Sequence, residues 1–117
     1  MIYSNKGSFF IENLLVKKIA EDYGTPAYIY SKKTIVDTFT NFRESFLKFD
    51  PLICFAVKAN SNIAILNLLA KHGAGFDIVS GGELKRVIVA EGDPKKVVFS
   101  GIGKSIEEIG LAISHDI

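Results

Sequence analysis

Lys58 follows directly on an unbroken apolar run, Leu52 to Val57, in the stretch PLICFAVKAN. A short run of this kind, bounded by proline and by Asn-Ser, suits a parallel strand covered on both faces. An ammonium at the end of such a strand costs free energy unless it is solvated, paired or deprotonated. Two readings stand open. In one, the lysine reaches water along its own methylenes. In the other, it is a reactive amine that forms a Schiff base with an aldehyde. Asp77 follows 19 residues later in GFDIVSGGEL. On neighbouring strands about 4.8 Å apart, an inward aspartate would come near Lys58, and the two buried charges would account for each other. The alternative for Asp77 is a solvent-facing position on an edge strand.

The elements around these residues follow a regular pattern. Strands are expected at 52–58, 75–79 and 97–100, with helices at 62–72, 81–91 and 106–114. The strand starts at 52, 75 and 97 repeat every 22–23 residues. Repeated βα units imply a parallel sheet, either doubly wound or closed as a barrel. Side-chain alternation sets Cys54, Ala56 and Lys58 on one face and Phe55 and Val57 on the other. In a barrel the larger pair would pack on helices. Lys58 would then point inward at the C-terminal rim, where βα folds carry their chemistry. Ile65, Leu66, Leu69 and Ala70, then Leu84, Val87 and Ile88, then Ile106, Ile109 and Ile113 are the expected inward helix positions.

The N-terminal part is less regular. Phe9, Phe10 and Ile11 suit a short strand, Asn13 a cap for a helix over 14–23, and residues 27–30 (AYIY) are β-prone. Ser31 is the expected cap of a further helix. Its stripe of Ile35, Phe39, Phe42, Phe46 and Phe49 reads as core.

Several other signals stay local. Ser80–Glu83 and Ser105–Glu108 both fit the S-x-x-E capping box, which by itself accounts for Ser80 and Glu83. Gly81-Gly82 at a helix start can bind an anion or simply permit the turn. Gly103-Lys104-Ser105 resembles the tail of a P-loop, but Val98 stands where its first glycine belongs. His72 and His115 sit at helix ends without a partner at metal-ligand spacing. Cys54, the only cysteine, reads as a small buried residue and points to a reducing, cytoplasmic setting. The net charge of +1 comes from interleaved acids and bases, with no basic stripe for nucleic acid. No apolar run approaches a membrane span, and no secretory signal is evident. Three βα units do not close an eight-stranded barrel. The 117 residues are therefore expected to be the front part of a larger fold or a truncated gene product.

FAVKAN and DIVSGGEL, with YGTPAYIYS (23–31) upstream and VVFSGIGKS (97–105) downstream, resemble the fold-type III pyridoxal-phosphate-dependent decarboxylases. Within them the blocks are most similar to the diaminopimelate decarboxylases. The resemblance implies an α/β fold: the first three βα units of a (β/α)8 barrel of the alanine racemase type over 31–117. Residues 1–30 would associate with a β-domain. It implies that Lys58 binds pyridoxal 5'-phosphate as a Schiff base, with Asp77 and Glu83 as cofactor-binding neighbours. The reaction implied is decarboxylation of meso-2,6-diaminopimelate to L-lysine and CO2, by a cytoplasmic enzyme that is a homodimer at full length. The family's ring-stacking histidine, phosphate loop and substrate-binding arginines would lie beyond residue 117, so the chain alone is expected to be inactive. Alanine racemase, ornithine or arginine decarboxylase, and a non-catalytic cofactor-binding barrel are the alternatives.

Overall fold

The structure is a computed structural model that describes residues 2–5 and 7–117. It divides into two compact units, Met1–Phe39 and Thr40–Ile117, and the boundary falls inside one helix.

The first unit opens with an antiparallel sheet of three strands, β1 (Ile2–Asn5), β2 (Ser8–Ile11) and β3 (Leu14–Leu15). Tyr3 lies opposite Phe10, and their rings stack at 5.3 Å. This corrects the expected helix start at Asn13. Leu14 and Leu15 pair with Ile11 and Phe10 across a turn in which Glu12 has φ of 53°. Helix α1 (Val16–Tyr23) therefore begins two residues later than expected and has Leu15 as its N-cap. Residues 27–30, expected to form a strand, are exposed and join no ladder. Helix α2 (Lys32–Ser45) does begin at Ser31, whose hydroxyl accepts from the Thr34 N–H at 3.0 Å. The Glu12 carboxylate reaches the same helix start, accepting from the Ser31 hydroxyl at 2.7 Å and the Lys33 N–H at 2.8 Å. Those two bonds, the hydroxyl's first, hold its carboxyl below the usual range.

The second unit contains the expected repeat: β4 (Cys54–Ala56), α3 (Ile63–Lys71), β5 (Gly75–Ile78), α4 (Gly81–Val89), β6 (Val97–Phe99) and α5 (Ile106–Ser114). The sheet is parallel in the order β4-β5-β6. Register sorts its faces: Phe55, Phe76 and Val97 lie abreast, and so do Ala56, Asp77 and Val98. Phe76 and Ile78 are fully buried with Leu66, Leu84 and Val87 of the helices, so their face is the helix-covered one. Each such side chain contributes about 1.5–3 kcal/mol through burial. The Asp77 face is open, and Val98 on it is 49% exposed. Gly75 lets the chain pass close on that face, since a Cβ there would stand 2.4 Å from the Lys96 carbonyl and 2.8 Å from Cys54 Sγ.

Two apolar stripes differ from expectation. Of the phenylalanine stripe only Phe39 is buried; Phe42, Phe46 and Phe49 are exposed. On α5 the expected inward residues Ile106, Ile109 and Ile113 are exposed, and Ala112 is the buried position. Helical periodicity identifies the apolar side of a helix, whereas the contact α5 makes with its neighbours here turns a different residue inward.

Candidate active site

The three parallel strands end together, and the sequence-derived site residues sit at or just beyond those ends. The strand expected over 52–58 is shorter than its apolar run. It stops at Ala56, and Val57–Ala59 form a 3-10 turn closed by the Asn60 N–H donating to the Val57 carbonyl at 3.1 Å. The apolar run continues because Val57 is fully buried in that turn. Lys58 is consequently exposed and off the strand, which corrects its expected place at a buried strand end. Solvation removes the desolvation cost that a buried strand end would impose on the ammonium. Lys58 has no hydrogen bond or ion pair among the described residues. Local polar contacts hold its turn. Asn60 Oδ1 accepts from the Asn62 N–H at 3.0 Å, and Asn62 Oδ1 accepts from the Ala64 N–H at 2.9 Å to cap α3. Arg86 reaches across from α4 to the Ser61 carbonyl at 3.4 Å.

Asp77 is on the open face opposite Ala56, two residues short of Lys58 in the register. Its carboxylate accepts a short hydrogen bond from the Ser100 hydroxyl, just past β6. Its partner is therefore a serine just beyond the end of the next strand, and no ion pair joins it to Lys58. Ser100 is a site residue that sequence reasoning missed. The only signal for it was its even spacing from Val98, which lies abreast of Asp77. Cys54 shares this face and is half-buried; burial first, then the Asp77 charge, pushes its thiol up.

Glu83 turns back from the first turn of α4. Its Oε2 accepts from the Val79 N–H at 2.7 Å, one residue beyond the N-cap amide that the capping box predicts. The Ser80 half of the box is present, with the hydroxyl accepting from the Glu83 N–H at 3.2 Å. At α5 the box is complete between Ser105 and Glu108. Glu108 also accepts from the Gly81 N–H at 2.7 Å, so a carboxylate of the protein already occupies this part of the candidate anion site at α4. Its two amide donors, Gly81 and then Ser105, hold its carboxyl below the usual range.

No three His, Cys, Asp or Glu side chains converge as metal ligands among the described residues. No helix among them is long and apolar enough to cross a membrane.

Residues 32–117 match the family described as pyridoxal-dependent decarboxylase, pyridoxal binding domain. The chain is 50% identical over 107 residues to diaminopimelate decarboxylase of Pseudomonas fluorescens, covering 92% of this chain and 26% of that one. It is 49% identical over 111 residues to the Vibrio cholerae enzyme, covering 95% and 27%. Among solved structures, diaminopimelate decarboxylase from M. jannaschii in co-complex with L-lysine superposes with a TM-score of 0.95 at 37% identity, over 99% of this chain and 28% of that one. The Helicobacter pylori enzyme complexed with L-lysine gives 0.83 at 42% identity, over 87% and 26%. The chain thus spans about a quarter of the length of the curated relatives it matches. With a family match across most of its residues and solved structures superposing on nearly all of them, the chain belongs to the pyridoxal-dependent decarboxylases.

Proposed function

We propose that the chain is the N-terminal part of a diaminopimelate decarboxylase in which Lys58 holds pyridoxal 5'-phosphate. The observation that carries the reading is the state of Lys58. It is a solvent-exposed amine with no partner among the described residues, at the C-terminal end of a parallel strand. An amine must be unengaged to attack an aldehyde. The residues present fit the aldehyde end of the cofactor. They offer less to its phosphate, because the Gly81 amide is committed to Glu108.

When bound, the cofactor supplies the aldehyde carbon and a ring that takes up the electron pair left as a carboxylate departs as CO2. The chain's own residues do the rest of what these residues can do. Lys58, whenever it is not bonded to the cofactor, would be free to carry a proton. Asp77, fixed by Ser100, sets a negative charge on the open face of the sheet. Glu83 acts through the backbone, holding the Val79 amide and so the shape of the loop after β5.

The substrate in this reading is meso-2,6-diaminopimelate and the product L-lysine. The two similar structures complexed with L-lysine support the product side of this reading, a diamino acid with one carboxylate. The cofactor-binding part is residues 31–117, and residues 1–30 join a β-domain in a longer, homodimeric and cytoplasmic form.

The test is CO2 release from carboxyl-labelled meso-diaminopimelate. The chain is supplied with the cofactor and with a fragment spanning the remaining three quarters of the Pseudomonas fluorescens relative. Release that requires both pieces and vanishes in Lys58→Ala is the expected result. Release that survives Lys58→Ala contradicts the reading.

A further inference from the structure

We propose that Glu108 is a positioning residue for the rim that carries Lys58 and Asp77, clamping together the loops that leave β5 and β6. The inference rests on the function proposed above. A helix start leaves several backbone N–H groups without intrahelical partners. The Glu108 carboxylate serves two such starts at once. Oε2 accepts from the Ser105 N–H at 3.0 Å, which completes the capping box of its own helix. Oε1 accepts from the Gly81 N–H at 2.7 Å, 27 residues away on α4. Capping α5 needs only the first bond; the second ties one βα unit to the next. A carboxylate is the right group for it, since both helix N-termini favour negative charge.

The surroundings are built for this contact. Gly81 is buried, and a Cβ on it would stand 3.1 Å from Glu108 Cγ, so a larger residue would push the carboxylate away. The loop after β5 is then held at Val79 by Glu83 and at Gly81 by Glu108. The loop after β6 is held at both ends. Ser100 bonds to Asp77 through its hydroxyl and donates its N–H to the Ile78 carbonyl at 2.8 Å. Ser105 is bound to Glu108. Between them Lys104 donates to the Gly101 carbonyl at 2.5 Å and lies 5.1 Å from the centre of the Phe99 ring. Asp77 stands on β5 and its partner Ser100 just past β6, and the loops that follow them meet at Glu108. Cutting the clamp loosens the start of α4, the helix whose Arg86 reaches the Ser61 carbonyl in the turn beside Lys58.

The experiment compares Glu108→Gln and Glu108→Ala with the unaltered 117-residue chain, each corrected for its folded fraction from an unfolding curve. Glutamine keeps one acceptor oxygen, so it rescues one of the two bonds. Amide exchange is read at Gly81 and Ser105, with Phe76 as the core reference. Selectivity is read by adding pyridoxal phosphate, reducing with borohydride and mapping the modified lysines. Expected are exchange faster by about tenfold at one of the two amides in the glutamine variant and at both in the alanine variant. Phe76 is unchanged, and the share of label on Lys58 falls in the order Glu, Gln, Ala. Unchanged amide exchange, or faster exchange with the wild-type share of label on Lys58, overturns the proposal. If the alanine variant does not fold, the glutamine variant decides. An unaltered chain with no preference for Lys58 overturns the functional reading itself, a failure visible before any variant is made.

Discussion

The turns after β4 and β5 each bring a charged side chain to the end of the same sheet, and they are held in opposite ways. The turn after β4 is closed mainly by its own backbone and by the neighbouring side chains of Asn60 and Asn62, with one long bond from Arg86 to Ser61, and it leaves Lys58 in water with no partner among the described residues. The turn after β5 is tied to other elements through Glu83, Glu108 and Ser100, and its charge, Asp77, is already hydrogen-bonded. The difference separates two kinds of site residue. A group that must form a new bond is best left unengaged, and a group that shapes the field around it is best fixed.

The largest expected effect lies under the β5 turn. Phe76→Ala empties a fully buried position and is expected to cost about 3–5 kcal/mol. The half-buried Phe55, abreast of it on β4, should cost clearly less in the same urea unfolding series. Equal losses would mean that the two strands are equally rooted. Gly75→Ala comes next, at about 1–3 kcal/mol, because its methyl would press on the Lys96 carbonyl and Cys54 Sγ. The helix caps follow. Ser105→Ala and Asn62→Ala should each cost about 1 kcal/mol. Only the first should speed amide exchange at the start of α4, because only α5 carries the bridge to Gly81.

A smaller effect comes from acid. Glu12 and Glu108 have folded pKa values held below their ordinary ones by hydrogen bonds. Their stabilising contribution is complete above the unfolded carboxylate value of about 4.3 and is lost as pH falls through the depressed folded values. The unfolding midpoint should therefore be level near neutrality and decline below about pH 4. Glu108→Gln should flatten part of that decline. The smallest effect on stability is at Lys58, where Lys58→Ala should stay within about 0.5 kcal/mol because the side chain is exposed and unpaired. A larger loss would show that Lys58 is engaged after all.

The sequence exposed the repeat better than the turns. Strands expected from 52, 75 and 97 begin at Cys54, Gly75 and Val97, since alternating βα units leave a long periodic signal. The division of β4 into a helix-covered and an open face was also legible from side-chain parity, whereas on β5 parity grouped Asp77 with Gly75 and left the direction of that face undecided. The end of β4 was not, because Val57 is as apolar as a strand residue although it is buried in a 3-10 turn. At the N-terminus the strand expected at Phe9–Ile11 is there as β2, but its partners escaped because they are only four and two residues long, and the turn to β3 uses a positive φ at Glu12, for which no glycine gives warning. At the site, Lys58 and Asp77 were visible as charges next to apolar runs. Ser100 and the bridging role of Glu108 were not, because each depends on which strand end faces which, and local patterns carry no such information.

The most direct test of the central claim is to add pyridoxal phosphate to the purified chain, record the absorbance spectrum, reduce with borohydride and map the modified peptide. Lys58 carrying the reduced cofactor, well above every other lysine and absent in Lys58→Ala, is the predicted result. Label spread evenly over the lysines, or none, would contradict the claim that this turn presents a lysine set apart for covalent chemistry.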